Sequence, residues 1–333
     1  MGIKGYAAKG PKQPLESFEY EPGPLGPHEV EVQVSHCGIC HSDLAMIDND
    51  WGFSAYPLVP GHEVIGTISS VGSDVVNAKV GQRVGIGWHC GSCGHCEWCG
   101  KGVESLCANE RGTIVHHHGG WADRVRCEAK FAMPIPDAIE SHVAGPFMCA
   151  GSTVFTPMAR FGVTATMRAA VVGIGGLGHL AVQFLAAFGC EVTAISSSHS
   201  KDDEVRQMGA THFLATKGTD ELKKAAGSFD FIISTVGADL PWDDYVAALR
   251  PQGRLVLVGI PDSAIKFAPF PLLAEKSVSG GSCGGTTDTK LMLDFAARTG
   301  VRPIVETFKM ADVNKALDHV RAGKPRYRVV LEA

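Results

Sequence analysis

Three residues of this chain are of the types that bind a catalytic zinc ion: Cys40, His62 and Cys149. Such a site uses three thiolate, imidazole or carboxylate ligands and keeps a fourth position for water or substrate. Asp43, three residues after Cys40, is placed to orient the imidazole through a hydrogen bond to the ring nitrogen that does not bind the metal. Ser42 provides a hydroxyl beside the open position. Buried cysteines and histidines are also common core residues. The motif alone therefore leaves both a metal site and simple packing open.

A second group of cysteines lies in one short segment. Cys93, Cys96 and Cys99 are separated by two residues each, and Cys107 follows. Four thiolates in one loop can surround a zinc ion tetrahedrally and leave no open position, which is typical of a structural site. Cys90 extends the series toward the N-terminus, so a register that starts there is the alternative. We favour the first register because Cys107 then closes the loop at an ordinary distance.

The remaining cysteines and several histidines show no spacing that indicates a site. Adjacent side chains do not converge on one face of a strand or helix, so a histidine triplet is a poor metal site. We interpret these residues as loop histidines or as core or surface thiols, namely residues 116–118, His89, His95, Cys127, Cys190 and Cys283.

The composition narrows the classes of partner. The chain of 333 residues suits two domains, and its formal net charge of −5 comes without a block of Lys or Arg. These features argue against nucleic acid and anionic membranes. The N-terminus has no apolar signal core, and no stretch reaches about 18 uninterrupted apolar residues, so we expect a cytoplasmic protein. Its 11 cysteines suit that compartment as metal ligands rather than disulfides.

Short strands and glycine turns dominate the N-terminal part. Residues 29–34 alternate apolar and polar side chains with a period of two, which predicts a half-exposed strand. Residues 64–68 and 81–86 continue the same pattern. The expectation is an irregular, mainly β barrel.

The composition changes around residue 150. An apolar run over residues 167–172 leads into a glycine-rich turn, then into an amphipathic helical pattern and a strand over 191–195. This order is the context in which a G-x-G-x-x-G turn holds a dinucleotide pyrophosphate at a helix N-terminus. A turn without a ligand is the alternative. The residues concerned are Gly173, Gly175, Gly176, Leu177 and Gly178.

Strands and helices go on alternating downstream, which predicts a parallel, doubly wound sheet of the α/β class. Further strands are expected over residues 229–235, 254–259 and 328–332, and further helices over 242–249, 288–299 and 311–322.

A serine-rich stretch follows the second strand of this region. NAD enzymes place an acid there for the ribose hydroxyls, but this chain has hydroxyls and a lysine instead. These groups suit the 2′-phosphate of NADP(H), and no carboxylate repels it. The alternative is a loop that caps the next helix. The residues are Ser196, Ser197, Ser198 and Lys201.

Together, these motifs resemble the zinc-dependent medium-chain alcohol dehydrogenases, in particular the cinnamyl-alcohol-dehydrogenase type with its bacterial aldehyde reductases. The resemblance covers essentially the whole chain. It rests on the four-cysteine segment and on residues 38–44, 60–63, 144–151, 173–179 and 323–331.

The resemblance implies a GroES-like, mainly β catalytic domain over residues 1–149 and 288–333, and a Rossmann NADP-binding domain over 150–287. It places the active site in the cleft between them and implies two zinc ions per chain. It also implies a homodimer or homotetramer.

The resemblance further assigns roles to individual residues. Cys40, His62 and Cys149 are the implied catalytic zinc ligands, with the Glu63 carboxylate able to approach the metal. Ser42 would accept the alcohol proton. His41 and Arg328 would face the cofactor pyrophosphate, and Trp51 and Trp88 would line the substrate pocket; as a plain alternative, both tryptophans are core aromatics.

One position departs from the family pattern. Many relatives carry a proton-relaying histidine where this chain has Ala45. We expect Ser42 to pass the proton through the cofactor ribose to water instead.

The predicted activity is hydride transfer between NADP(H) and a primary alcohol or aldehyde, aromatic or aliphatic. The alternatives are a polyol or secondary-alcohol dehydrogenase of the same superfamily and a non-catalytic zinc or redox-responsive binding protein.

Overall fold

The computed structural model describes residues 2–261 and 263–333, and the chain divides into two units. The first unit comprises Met1–Ser152, Cys283–Arg298 and Pro303–Ala333, and the second comprises Thr153–Ser282 and Thr299–Arg302. The expected domain boundaries at 149/150 and 287/288 stay a prediction, because a division by contacts does not test independent folding.

The strands were expected to be short. In chain order they are β1 Ile3–Ala7, β2 Glu16–Tyr20, β3 Glu29–Ile39, β4 Val64–Val71, β5 Arg83–Ile86, β6 His89–Gly91, β7 Arg111–Gly112, β8 Arg124–Glu128, β9 Met133–Pro134, β10 Arg168–Val172, β11 Glu191–Ser196, β12 His212–Ala215, β13 Phe229–Ser234, β14 Leu249–Leu257, β15 Ser277–Gly280, β16 Val305–Lys309 and β17 Arg328–Glu332.

The described residues form ten α-helices, of which the last three match the helices predicted over residues 242–249, 288–299 and 311–322 to within two residues. The ten helices are α1 His41–Asp48, α2 Glu97–Gly100, α3 Ser141–Ala144, α4 Ala150–Arg160, α5 Gly178–Ala187, α6 Asp202–Gln207, α7 Glu221–Lys224, α8 Trp242–Ala248, α9 Thr286–Thr299 and α10 Val313–Arg321. None of the described helices combines the length and apolarity that a membrane span requires.

The first unit is built around strand β3. This strand pairs antiparallel with β4, and also with β8 along its first half and β17 along its second. The resulting sheet has seven strands, while β1–β2 and β6–β7 form separate pairs. Apolar side chains of β3, β4, β5 and β8 share one core with α1 and α10. The C-terminal strand β17 therefore lies beside the end of β3 that leads into α1.

The second unit contains a six-stranded sheet of order β12-β11-β10-β13-β14-β15, in which all neighbours are parallel. Numbered from β10, this order is 3-2-1-4-5-6, the arrangement of dinucleotide-binding folds. The predicted α/β class is confirmed. Such sheets bind ligands at the carboxyl ends of their strands, where the strand order reverses.

Strand β3 differs from the prediction of a half-exposed strand. Gln33 is exposed as expected, but Glu31 is only 7% exposed. The cause is β8, whose register brings two arginines to this carboxylate: Arg124 Nη1 donates to Glu31 at 3.2 Å and Arg126 Nε at 3.0 Å. Burial alone would raise the pKa of Glu31, but the hydrogen bonds from both arginines lower it below its ordinary value.

Glu31→Gln should lower the free energy of unfolding at neutral pH by about 1.5–3 kcal/mol, because charged hydrogen bonds to two arginines are lost. A depressed carboxyl pKa gives stability that is present above the unfolded-state value of 4.5 and lost as the pH falls through the folded-state value. The deficit should therefore shrink below pH 4.5. Urea unfolding at several pH values measures it. Glu16→Gln, which breaks the exposed Lys9–Glu16 pair, is the control and should cost about 0–1 kcal/mol; an equal effect of both variants would contradict this prediction.

Candidate active site and metal centres

The turn from β3 into α1 positions the first group of predicted residues. Cys40 has an extended backbone (φ −111°, ψ 159°) and precedes the helix. Asp43 in the first helical turn accepts a hydrogen bond from the Cys40 backbone N–H at 2.9 Å. A carboxylate at this position caps the helix and suits the positive end of its dipole. The conformation of Cys40 is therefore fixed by its own short motif.

The same carboxylate orients the predicted histidine ligand. Asp43 Oδ1 lies 2.9 Å from His62 Nδ1 and accepts the Gly61 N–H at 2.9 Å, and all three residues are buried. With Nδ1 bonded to Asp43, the other ring nitrogen, Nε2, faces Cys149 Sγ at 3.2 Å. Gly61 has φ +99°, and a Cβ there would lie 2.4 Å from the Trp121 ring. This turn therefore requires glycine.

Cys149 completes the ligand set from the end of a short 3₁₀ helix over Gly145–Met148. Its sulfur lies 3.8 Å from that of Cys40. The ligand atoms of Cys40, His62, Glu63 and Cys149 all lie within 4.8 Å of one another. Tetrahedral zinc with thiolate bonds of about 2.3 Å has sulfur–sulfur edges of about 3.8 Å. The hydrogen bond from Cys149 lowers the pKa of Cys40 well below its ordinary value, which favours the thiolate that a metal binds.

Glu63 lies against this set as an ion pair with Arg328 of β17. Glu63 is 0% and Arg328 5% exposed, and the Arg328 guanidinium donates to Glu63 Oε1. Among the described residues, Glu63 Oε2 has no hydrogen-bond partner. A buried carboxylate that keeps one unpartnered oxygen and lies beside two thiols and an imidazole fits a metal ion. A role of Arg328 toward the cofactor stays a prediction.

Aromatic side chains stand on one side of the ligand set. The Trp88 ring meets His62 edge-on at 5.2 Å, and Trp51 meets Trp88 at 6.0 Å. Phe53 stacks on Trp51 at 5.8 Å. Trp51 is 37% exposed, so it is no buried core aromatic. The three rings offer an apolar surface near the metal ligands, with Trp88 turned 71° from Trp51.

Two residues predicted to act on the substrate or cofactor begin helix α1. Ser42 is half-buried, and its Oγ lies 3.8 Å from Cys40 Sγ. His41 is exposed. The hydroxyl is thus beside a predicted metal ligand, while His41 is free to meet a ligand from solvent.

The four cysteines predicted for the structural site also lie together. The sulfurs of Cys93, Cys96, Cys99 and Cys107 fall within 4.8 Å of one another. Neighbouring sulfurs are 3.6 to 3.9 Å apart, again close to the edge of a zinc–thiolate tetrahedron. Cys90 is outside this group, 2% exposed on β6. The geometry thus favours the register that begins at Cys93.

Backbone N–H groups in this segment stabilise thiolates. Those of His95 and Cys96 lower the pKa of Cys93 to about 6. The Asn109 N–H points at Cys107 Sγ across 3.4 Å. Metals bind the thiolate, so the lowered pKa of Cys93 suits a zinc ligand.

The predicted glycine turn joins β10 to α5 in the second unit. Gly173 has φ +86°, and a Cβ on Gly178 would lie 1.9 Å from the Gly173 carbonyl oxygen. Only glycine permits this close approach of strand and helix. Gly175 is exposed, with open space where a Cβ would stand. The turn therefore presents bare backbone at the carboxyl end of β10.

The serine-rich stretch lies beside this turn because β11 is the parallel neighbour of β10. Ser196 ends β11, and Ser197 and Ser198 are exposed. Lys201 Nζ donates to the Ile174 carbonyl in the glycine turn at 2.5 Å. Hydroxyls and an ammonium group thus border the place where the ribose of a bound dinucleotide is expected.

The sequence did not predict three contacts of the structure. They are the ion pair of Arg328 with Glu63, the hydrogen bonds from two arginines to Glu31, and the contact of His89 with Cys283. His89 was expected in a loop, but it lies on β6, and its Nε2 is 3.4 Å from Cys283 Sγ. The partners are 194 residues apart in sequence, so no local spacing could indicate them. Cys127 and Cys190 are buried, as expected of core thiols, and the triplet 116–118 lies outside helices and strands.

The fold and the two cysteine-containing clusters define a zinc-type dehydrogenase, with one ligand set that suits catalysis and one closed set. Residues 26–137 match the alcohol dehydrogenase GroES-like domain, and residues 176–298 match the zinc-binding dehydrogenase family.

Known relatives match this chain along nearly its full length. The chain is 48% identical to aldehyde reductase AdhA of Synechocystis sp. over 99% of this chain and 98% of that protein. It is 39% identical to cinnamyl alcohol dehydrogenase 2 of Rauvolfia serpentina over 98% and 94%. A cinnamyl alcohol dehydrogenase structure from Sorghum bicolor superposes with a TM-score of 0.95 at 36% identity, covering 100% of this chain and 98% of that one. The chain belongs to the zinc-binding alcohol dehydrogenase family, a group of oxidoreductases.

Protein purified without added metal should contain close to two zinc ions per chain, one for each cluster. Cys93→Ser should remove one ion and lower the thermal midpoint by about 2–4 °C for each kcal/mol lost, because a closed four-ligand site stabilises its loop. Cys40→Ser should remove the other ion and abolish activity in a folded protein. Elemental analysis and calorimetry measure both, and Cys190→Ser is the matched cysteine control. A wild-type zinc content near one would eliminate one of the two sites.

Proposed function

We propose that this protein is a zinc-dependent aldehyde reductase and alcohol dehydrogenase that transfers a hydride between NADP(H) and a primary alcohol or aldehyde. The proposal rests on the close approach of the Cys40, His62 and Cys149 ligand atoms beside the half-buried hydroxyl of Ser42. Three protein ligands with an adjacent proton acceptor suit a catalytic metal site, whereas a structural site is closed by four. Two zinc ions per chain belong to this proposal.

Zinc bound at this set would supply Lewis-acid polarisation of a substrate oxygen, and a bound nicotinamide would supply the hydride chemistry. The protein contributes orientation and charge balance. Asp43 holds His62 in one ring orientation. Arg328 neutralises Glu63, which would otherwise be an uncompensated charge in the interior. Ser42 Oγ takes the alcohol proton during oxidation and returns it during aldehyde reduction.

The aromatic side chains and the relatives support an aldehyde with an apolar body. Trp51, Phe53 and Trp88 form a surface on which a planar or aliphatic group can pack. The relatives named above are an aldehyde reductase and cinnamyl alcohol dehydrogenases. Both names describe proteins that act on a primary alcohol or its aldehyde. A homodimer or homotetramer stays a prediction.

The preference for NADP(H) is supported by the residues after β11. Ser197, Ser198 and Lys201 provide hydroxyl and ammonium donors, and the first carboxylate after the strand is Asp202, which already pairs with Arg206 at 2.7 Å. A cinnamyl alcohol dehydrogenase from Helicobacter pylori, 28% identical with a TM-score of 0.92, has a structure in complex with NADP(H). The hydroxyl and ammonium groups favour the 2′-phosphate of NADP(H), and Asp202 does not oppose it because this carboxylate is paired with Arg206.

The proton path differs from that of many relatives. Ala45 is 3% exposed in α1 and has no titratable group, so the histidine relay is missing. Ser42 is one helical turn from it and is partly exposed. We therefore assign the first proton transfer to Ser42, with its release toward solvent.

A substrate panel tests this function. Zinc-loaded protein should oxidise NADPH with benzaldehyde and with a linear aldehyde, and act much more slowly with a ketone or sorbitol. Ser42→Ala should lower kcat/KM by about 10²–10⁴-fold at unchanged zinc content, because a positioned proton acceptor is lost, and Ser42→Thr should restore part of it. Faster turnover of sorbitol or a ketone would move the protein to another branch of the superfamily. Wild-type activity in Ser42→Ala would refute the assigned proton path.

Cofactor preference is a separate prediction. Charge-assisted hydrogen bonds contribute about 1.5–3 kcal/mol, so kcat/KM with NADPH should exceed that with NADH by about tenfold to a hundredfold. Lys201→Ala should reduce this ratio, and Ser197→Asp should reverse it by placing a carboxylate near the 2′-phosphate. Lys224→Ala, a lysine of the same unit paired with Asp220, should leave it unchanged. Equal kcat/KM values with the two cofactors in the wild type would contradict the assignment.

A further inference from the structure

Three residues outside the metal clusters form a connected chain of side chains in the first unit. Glu110 Oε2 lies 2.6 Å from His89 Nδ1, and His89 Nε2 lies 3.4 Å from Cys283 Sγ. A carboxylate on one ring nitrogen and a thiol on the other is the arrangement of an activated cysteine nucleophile. None of the three belongs to either metal cluster.

Two parts of the fold hold Glu110, His89 and Cys283 in place: the pairing of β6 with β7, and the hydrogen bonds of the segment after Cys283. Strand β6 carries His89 and pairs with β7, so Glu110, which directly precedes β7, is brought to the histidine. The segment after Cys283 is fixed by two hydrogen bonds: Gly284 N–H donates to Ser152 Oγ at 2.9 Å, and Thr286 N–H donates to Glu104 at 2.8 Å.

Charge favours reaction at the sulfur. Burial alone would lower the pKa of His89, but the contacts with Cys283 and Glu110 raise it to about 10. These contacts favour the imidazolium form of the ring, which places a positive charge beside the sulfur. A positive charge and a proton donor beside a sulfur nucleophile assist its reaction.

The other ten cysteines lack this combination. Six belong to the two metal clusters. Four are buried, and burial raises the pKa of each thiol, to about 12 for Cys90, to about 11 for Cys190 and well above the ordinary value for Cys37 and Cys127. Cys283 is partly exposed. Within the described part of the chain, it is the one cysteine that is accessible, outside the metal clusters and next to a histidine that favours its charged form.

A cavity in the first unit leads to this sulfur. Its lining combines Cys283 and His89 with apolar side chains, among them Trp88, Phe131 and Met148. This largely apolar lining favours an apolar rather than a charged group next to the sulfur. Trp88 also contacts His62, and Met148 precedes Cys149, so the cavity adjoins the proposed catalytic metal site.

We propose that Cys283, assisted by His89 and Glu110, is a covalent modification site for soft electrophiles, in particular α,β-unsaturated aldehydes. The sulfur forms a bond to the β-carbon, and the electron pair of the carbon–carbon double bond moves toward the carbonyl. The α-carbon then takes the Nε2 proton of His89, while Glu110 remains a carboxylate. The product is a saturated aldehyde thioether, and no oxidant is needed. Only the choice of aldehyde rests on the proposed function.

An adduct on Cys283 would press on Trp88 and Met148, which neighbour the predicted ligands His62 and Cys149. Unsaturated aldehydes would then inactivate the enzyme progressively, whereas saturated aldehydes would not.

Alkylation of the zinc-loaded full chain tests this site. With a limiting amount of iodoacetamide near pH 7, intact mass should show one carbamidomethyl group, and peptide mapping should place it on Cys283. Cys283→Ser should abolish this addition. His89→Gln should slow it by about tenfold, because the positive charge beside the sulfur is lost. Glu110→Gln is the second variant should His89→Gln misfold, and Cys190→Ser is the control that should label normally.

Cinnamaldehyde without cofactor is the second probe. It should add once to the wild type and not to Cys283→Ser, and this variant should resist the resulting loss of activity. Labelling mainly at another cysteine, or equal labelling rates in the wild type, His89→Gln and Glu110→Gln, would overturn the proposal. Because alkylation requires no turnover, an inactive protein that still labels at Cys283 would refute the proposed function alone.

Discussion

The buried carboxylate of Asp43 is the interaction on which the candidate active site depends. It binds the Cys40 backbone, the Gly61 backbone and the His62 ring together, at 2.9 Å each. Burying a carboxylate costs several kcal/mol unless hydrogen bonds replace its water. Three N–H groups do so here, and they come from the two segments that carry metal ligands. The charge is thus tolerable only when both segments are in place, which fixes the ligands relative to each other.

A second buried charge makes the C-terminal strand part of the same site. Strand β17 pairs with the end of β3, with Val329 opposite Ile39, so Arg328 reaches the interior next to Glu63. Zinc with two thiolates and a neutral imidazole carries no net charge, and Arg328 offsets Glu63. Arg328 bonds one Glu63 oxygen and leaves the other without a partner among the described residues, and the carboxylate lies beside the ligand set. Charge balance around the metal therefore depends on a residue near the end of the chain.

The sequence predicted what is encoded locally. The four-cysteine segment, the Cys40–Asp43 motif and the glycine turn each specify their geometry within a few residues, and the structure places their side chains as the spacing implied. What it could not predict depends on strand register. Glu31 falls at a polar position of the alternating pattern, which predicts an exposed side chain. Only the pairing of β3 with β8 shows the two arginines that allow its burial. The contact of His89 with Cys283 likewise needs a fold that joins residues 194 positions apart.

The two clusters also differ in how their ligands are brought together, and this difference separates their roles. The closed set lies within residues 93–107, where a metal can gather flexible thiolates into one loop at a small entropic cost. The ligands of the other set come from residues 40–149, and they converge because sheet, helix cap and buried carboxylate already hold them. A site assembled by the fold keeps its geometry when one coordination position is left for substrate. The closed set has no such position, because its four thiolates would fill the tetrahedron of a zinc ion.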